Sequence, residues 1–83
     1  MNESERRALI LGIVENQLRD NEPPETKQTL DRLMASGLDR EEPMPLIGCA
    51  LAGEVYEVLT QRREYDRTRY VARLHALPTL PWD

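Results

Sequence analysis

The chain has 83 residues, of which 40% are hydrophobic and 31% charged, and its formal net charge is -4 at neutral pH. This composition is typical of one small globular domain, too apolar for a disordered chain and too short to bury two separate cores. The acidic balance disfavours general binding to nucleic acid or anionic membranes, because both attract basic surfaces.

Cysteine content and hydropathy indicate the cellular compartment in which the protein is expected. Cys49 is the only cysteine, so an internal disulfide is excluded. No apolar run approaches the roughly 20 residues of a membrane span, and the polar start of the chain, MNESERR, is unlike a signal peptide. The sequence therefore predicts a cytoplasmic protein with no membrane partner.

Two amphipathic segments open the chain. Apolar residues recur at helical spacing over residues 9–18, with Ser4 as the expected N-cap, and two prolines end this first helix. The second helix is predicted to begin within residues 21–26, NEPPET, because a proline in the first turn loses no helical hydrogen bond. Gly37 suits the left-handed position after its end.

The third helix is predicted to begin within residues 39–48, DREEPMPLIG. Asp39 with Glu42 three residues later fits an N-cap and capping box, whereas a cap at Glu41 or Glu42 places both prolines in the first turn. In either arrangement the prolines open a helix. The apolar repeat over residues 46–59 is strong, so this helix should be central and the most buried.

A polar hinge then precedes a fourth helix, for which Asp66 or Thr68 is the expected cap and Pro78 the stop. No segment alternates with a period of two for long enough to indicate a sheet. The sequence thus predicts an all-α fold, a compact bundle of three to four helices in a single domain at residues 1–77. An extended tail rich in proline, with one tryptophan, is expected at residues 78–83.

Two carboxylates lie on or beside apolar helix faces, Glu54 on the third helix and Glu15 on the first. Carboxylates on facing helices can form an acid/base pair or share a metal ion, as in bundle metal sites. Alternatively, each lies at a core edge or pairs with one of the ten arginines, because buried acids are usually paired. A metal-binding or hydrolytic remnant built on these two residues is thus one alternative function.

Other catalytic patterns are missing from the sequence. His75 has no nucleophile or acid assigned to it, and Cys49 lies in an apolar helix without a neighbouring base. There is no zinc-spaced Cys/His set and no phosphate-binding glycine loop. The sequence predicts neither an enzyme nor a cofactor.

The segment Arg62–Arg73 holds five arginines interleaved with Tyr65 and Tyr70. A basic, aromatic-bearing segment can follow a phosphate backbone, which makes weak nucleic-acid binding a second alternative function. It contains no nucleic-acid-binding motif, and two acids lie within it. A solvated face that forms surface ion pairs is the favoured interpretation.

Three stretches carry a resemblance: IVENQL at residues 13–18, TLDRLMASGLDREEPMPLIG at 29–48 and YDRTRYVARLHAL at 65–77. Together they resemble a family of short bacterial helical proteins of unknown function. That family has a His-x-x-x-Glu-Asn-Gln opening and a His-Glu-Ala-x-His entry to its third helix. The resemblance implies an all-helical domain.

The family's histidines are replaced in this chain. Its opening histidine falls on Leu11, and its later pair falls on Glu41 and Pro45. Histidines four residues apart on a helix suit a metal ion, but the carboxylates that remain, Glu15 and Glu42, make a poor transition-metal site. The comparison therefore argues against a metal function in this chain.

The leading prediction is a protein–protein interaction or self-association module without catalysis, with an unknown protein or a second copy as partner. A chain without phenylalanine has a thin aliphatic core, and association is a common remedy for small domains. Small residues in the third helix also permit close approach of another helix. The interaction candidates are Gly48, Ala52, Tyr56, Leu80 and Trp82.

Overall fold

The computed structural model of the protein describes residues 2–38 and 41–80. These residues form four helices and no strand: α1 at Glu3–Asp20, α2 at Pro24–Ala35, α3 at Pro43–Gln61 and α4 at Arg67–Ala76. The all-α prediction is confirmed. None of the helices in this part of the chain has both the length and the apolarity to cross a membrane.

The start of α1 differs from the prediction. Asn2, and not Ser4, is the N-cap, and its side-chain oxygen accepts a hydrogen bond from the Glu5 amide at 2.8 Å. Asparagine caps a helix as well as serine does, and the earlier start adds half a turn with two acids near the positive end of the helix dipole. The helix ends at Asp20, and its C-cap, Asn21, adopts the left-handed conformation.

Prolines open both middle helices, as predicted. Pro24 is the first residue of α2, and Pro43 is the first residue of α3, directly after Glu42. Pro43 and Pro45 therefore both lie in the first turn of α3, where amides have no helical partner. Asp39, the other cap considered, lies outside the described residues.

Both ends of α4 match the expected signals. The Asp66 carboxylate accepts a hydrogen bond from the Arg69 amide at 3.2 Å, which makes Asp66 the N-cap, and the helix ends two residues before Pro78. Of the predicted tail, the structure describes residues 78–80. The Thr79 amide donates to the Ala76 carbonyl at 2.9 Å, and Leu80 packs half-buried on the core.

The core lies where α2 and α3 meet the other helices. Each of these two packs against all three neighbours, whereas no backbone contact joins α1 to α4 within the described residues. Helix α3 contributes the most buried residues, as expected. The buried apolar side chains are Val14, Leu30, Leu33, Ile47, Ala50, Leu51, Tyr70, Leu74 and Leu77.

One buried polar cluster links α1, α2 and α4. The Gln17 side-chain carbonyl accepts hydrogen bonds from the hydroxyls of Thr26 and Tyr70, both at 2.8 Å. Thr26 and Tyr70 are fully buried, so these bonds satisfy groups that water cannot reach.

Candidate interaction groove

A glycine sets the distance between α1 and α3. A Cβ atom at Gly48 would lie 3.3 Å from Leu11 Cδ2 and 3.5 Å from Ile10 Cγ2, so a larger residue would press on α1. The lack of a side chain at Gly48 therefore allows α1 and α3 of the same chain to pack closely. The sequence prediction had also allowed an inter-subunit approach at this position.

An apolar groove follows the seam between these helices, and we call it the α1/α3 groove. It has a volume of about 570 Å³ and is lined by one face of α1 from Glu3 to Leu11 and by one face of α3 from Pro45 to Leu59. At 1.5 Å per residue, this length of α3 spans roughly 21 Å. The groove is therefore about as long as a helix of four turns.

Large apolar side chains at the edges of the groove are exposed. Leu9 is 55%, Tyr56 68% and Leu59 73% accessible to solvent. Leu59 had been predicted to lie on the buried face of α3, which is wrong, because no described element covers the last turn of the helix on this side. Half of the six large apolar residues exposed in the described part of the chain therefore line this one groove.

Polar groups are few in the groove. Of its lining residues only Glu3, Arg6 and Arg7 are charged, and all three lie in the first turns of α1. Cys49 is half-buried in the lining, where loss of solvation raises the pKa of its thiol and the charge of Arg7 opposes that rise. The thiol is thus neutral near pH 7, and the groove offers apolar contact beside a small basic rim.

The predicted interaction residues separate into three groups. Gly48, Ala52 and Tyr56 line the α1/α3 groove together. Leu80 instead packs on the core of its own chain, and Trp82 lies outside the described residues.

The α1 side of the groove was missed from the sequence. Leu9 had been assigned to the core stripe of the first helix and is exposed instead, whereas Ile10, assigned to the same stripe, does pack half-buried against the core. The sequence does hold a signal: residues 8–14, ALILGIV, are apolar on almost every face of a helix, whereas a helix in a small bundle buries only one. An uncovered apolar surface on α1 follows from that excess.

Glu54 is the one fully buried acid among the described residues, and α4 neutralises it. Arg69 donates to both carboxylate oxygens, from Nε to Oε1 at 2.8 Å and from Nη2 to Oε2 at 2.7 Å. The Asp66 amide adds a third bond at 3.0 Å, and Arg73 Nε lies 3.9 Å away. Of the alternatives considered for Glu54, pairing with an arginine is the one that the structure shows, and the pair fixes the start of α4 on α3.

The electrostatics of Glu54 agree with this arrangement. Burial alone raises the pKa of the carboxyl, but the hydrogen bonds from Arg69 and the Asp66 amide and the charges of Arg69 and Arg73 outweigh it. The net effect is a pKa below the ordinary value of 4.5. Glu54 is therefore ionised near neutral pH, and three hydrogen bonds hold its carboxylate against α4.

Glu15 lies apart from Glu54. It is exposed in a shallow depression between α1 and α2, lined also by Leu18, Arg19, Lys27 and Leu30, whereas Glu54 is buried under α4. Within residues 2–38 and 41–80, no three His, Cys, Asp or Glu side chains come close enough to hold a metal ion. His75 is exposed near the end of α4.

Four arginines of the segment Arg62–Arg73 face carboxylates of the same chain. Arg67 Nη1 lies 2.6 Å from Glu22 Oε1, and Arg63 Nη1 lies 3.8 Å from Glu57 Oε2. The other two are Arg69, bound to Glu54, and Arg73, near Glu54 and Glu57. The basic charge of this segment is therefore largely offset by neighbouring acids.

Comparison with known protein families, with curated proteins and with solved structures finds no match for this chain.

Proposed function

We propose that this protein is an interaction module whose α1/α3 groove binds an amphipathic helix. The observation that carries the proposal is the concentration of exposed Leu9, Tyr56 and Leu59 around one continuous apolar groove. Single exposed apolar residues are normal on proteins, but a contiguous apolar surface with a polar edge is typical of a binding site.

The shape of the groove favours a helix over a small molecule. Small ligands occupy enclosed pockets that bury most of their surface, whereas the rims of this groove are more than half exposed. A groove of roughly 21 Å accepts the i, i+3, i+4 and i+7 side chains of an amphipathic helix. Arg6 and Arg7 at one end favour acidic residues beside the apolar stripe of that helix.

The alternative functions have less support. A hydrolytic or metal site on Glu15 and Glu54 would need the two carboxylates near each other, but Glu54 is bound to Arg69. Nucleic-acid binding by Arg62–Arg73 would need free positive charge where ion pairs lie. A location in the cytoplasm stays a prediction from the sequence, based on the single cysteine, the lack of a long apolar run and the polar start of the chain.

A designed peptide tests the proposal directly. The probe is a labelled amphipathic helix of four turns with leucines on one face and glutamates beside them, titrated with the protein at low concentration in an anisotropy assay. Tyr56→Glu should weaken binding about tenfold, because a buried aromatic contact is worth somewhat more than 1.4 kcal/mol.

Tyr65 provides the matched control. It is 53% exposed, similar to Tyr56, but lies between α3 and α4 away from the groove. Tyr65→Glu should bind the peptide as the unmodified protein does. Equal effects of the two substitutions, or no binding by the unmodified protein, would overturn the proposal.

A further inference from the structure

The positive charges of the α1/α3 groove differ from most of those elsewhere in the chain. Six basic side chains each form an ion pair with an acid of the same chain: Arg19, Lys27, Arg63, Arg67, Arg69 and Arg73. The exposed side chains of Arg6 and Arg7 form no ion pair within residues 2–38 and 41–80, although acids outnumber bases by 15 to 11 in the chain. Both guanidinium groups of the groove are therefore available to a partner.

These charges lie beside the apolar floor of the groove. The positive charge of Arg7 favours the thiolate of Cys49 on α3 and so opposes the rise in the pKa of that thiol that burial causes. Ile10 and Leu11, which follow the two arginines by one helical turn, are the side chains nearest to Gly48. A helix that covers Cys49 therefore has a positive charge beside its apolar stripe.

The local charge of the groove has the opposite sign to the net charge of the chain. Glu3 is the one acid among the lining residues, so the lining carries +1, whereas the whole chain carries -4. Interactions between exposed charges are screened beyond about 8 Å at physiological ionic strength. A helix bound in the groove therefore interacts more strongly with the lining than with the distant acids.

From these observations we infer that Arg6 and Arg7 determine the specificity of the α1/α3 groove. They favour an amphipathic helix whose apolar stripe is flanked by acidic residues, and they disfavour a helix whose stripe is flanked by basic residues. This inference rests on the proposed function, since it describes which helices the same groove accepts. Like charges brought together at a binding surface are a general means of excluding wrong partners.

Three peptides of one design test the inference. They share the leucine face of the four-turn helix and carry glutamate, glutamine or lysine beside it, and each is titrated in the anisotropy assay. A surface charge contact changes affinity roughly twofold, and exchanging glutamate for lysine turns two attractions into two repulsions. The glutamate peptide should therefore bind about tenfold more tightly than the lysine peptide. The glutamine peptide should lie between them, and added salt should bring the three affinities together.

Charge reversal in the groove provides the decisive variant. Arg6→Glu combined with Arg7→Glu should reverse the order, so that the lysine peptide binds most tightly. Acids suit the first turns of a helix, so α1 should fold in this variant, which circular dichroism checks. The matched control is Arg19→Glu combined with Lys27→Glu, which changes the net charge equally but lies in the depression between α1 and α2. This control should keep the order of the unmodified protein.

The outcomes separate the inference from the proposed function. Equal binding of the three peptides by the unmodified protein would overturn the specificity and leave the proposed function standing, whereas binding of none would overturn both. An order left unchanged by the charge reversal in the groove would assign the selection to other residues. The same reversal in both double variants would show that the net charge of the chain decides, which also overturns the inference.

Discussion

Helices α1 and α4 both pack on α3, but by different means. Helix α4 is held by a buried carboxylate, Glu54, which receives two hydrogen bonds from Arg69 and one from the Asp66 amide. Helix α1 meets α3 through aliphatic contacts around Gly48 and leaves apolar rims in water. The Glu54 carboxylate at the α4 contact has its hydrogen-bond donors within the chain, whereas the apolar surface at the α1 contact is only partly covered.

The difference has a physical basis. A buried charge is costly unless it is paired, so a stable fold must satisfy Glu54 internally. Leaving an aliphatic side chain exposed costs much less free energy than burying an unpaired charge. A fold can therefore leave part of its apolar surface exposed for a partner to bind. For this reason we interpret the α4 contact as structural and the α1/α3 groove as functional.

Among the polar contacts of the two interfaces, the largest expected effect is at Glu54. Glu54→Gln removes the negative charge between Arg69 and Arg73 and should lower the free energy of unfolding by about 2–3 kcal/mol. The loss stays below that of a fully buried pair because Arg69 is partly exposed and can turn toward water. Urea denaturation of the unmodified protein and of Glu54→Gln measures this difference in the free energy of unfolding.

Glu57→Gln is the control for this variant. Glu57 also faces Arg73, but at 3.7 Å and with a third of its side chain exposed, so its loss should cost less than about 1 kcal/mol. Equal losses at the two positions would contradict the structural assignment of Glu54.

A smaller change in the free energy of unfolding is expected when the pH is lowered. The pKa of Glu54 is lowered in the folded protein, so its contribution to stability is complete above the ordinary pKa of 4.5 and is lost as the pH falls through the lower folded value. The stability gap between the unmodified protein and Glu54→Gln should therefore shrink on acidification below pH 4.5. Other carboxylates titrate in both proteins and cancel in the difference. A gap that stays constant or widens in acid would contradict the lowered pKa.

Local signals made much of this fold predictable. Prolines in first turns, Asp66 as a cap and Gly37 after α2 act within a few residues, so the sequence located the helices closely. It missed the cap at Asn2 and left more than one candidate cap open for α3 and for α4. The partner of Glu54 is a different case, since Arg69 is 15 residues away and becomes its neighbour only when α4 packs on α3. The sequence offered pairing with an arginine as one alternative for Glu54, but it could not identify which arginine.

The α1/α3 groove shows a second limit of prediction from sequence. Periodicity identifies which residues of a helix are apolar, but it does not say which of them a neighbouring helix covers. Leu51 and Leu59 lie on the same predicted face of α3, yet Leu51 is buried and Leu59 is exposed. Coverage depends on where α1 crosses α3, and that is a tertiary property.

Leu59 gives the smallest expected effect, and its contrast with Leu51 is the sharpest test of the comparison. At protein concentrations too low for association, Leu59→Ser should change the free energy of unfolding by less than about 0.5 kcal/mol, as is usual for exposed positions. Leu51→Ala, on the same helix, should cost about 2–4 kcal/mol because it leaves a cavity in the core. Both are measured by urea denaturation. A loss of 2 kcal/mol or more at Leu59 would mean that the last turn of α3 is covered within the monomer, in which case the groove would have no exposed rim there for a partner to contact.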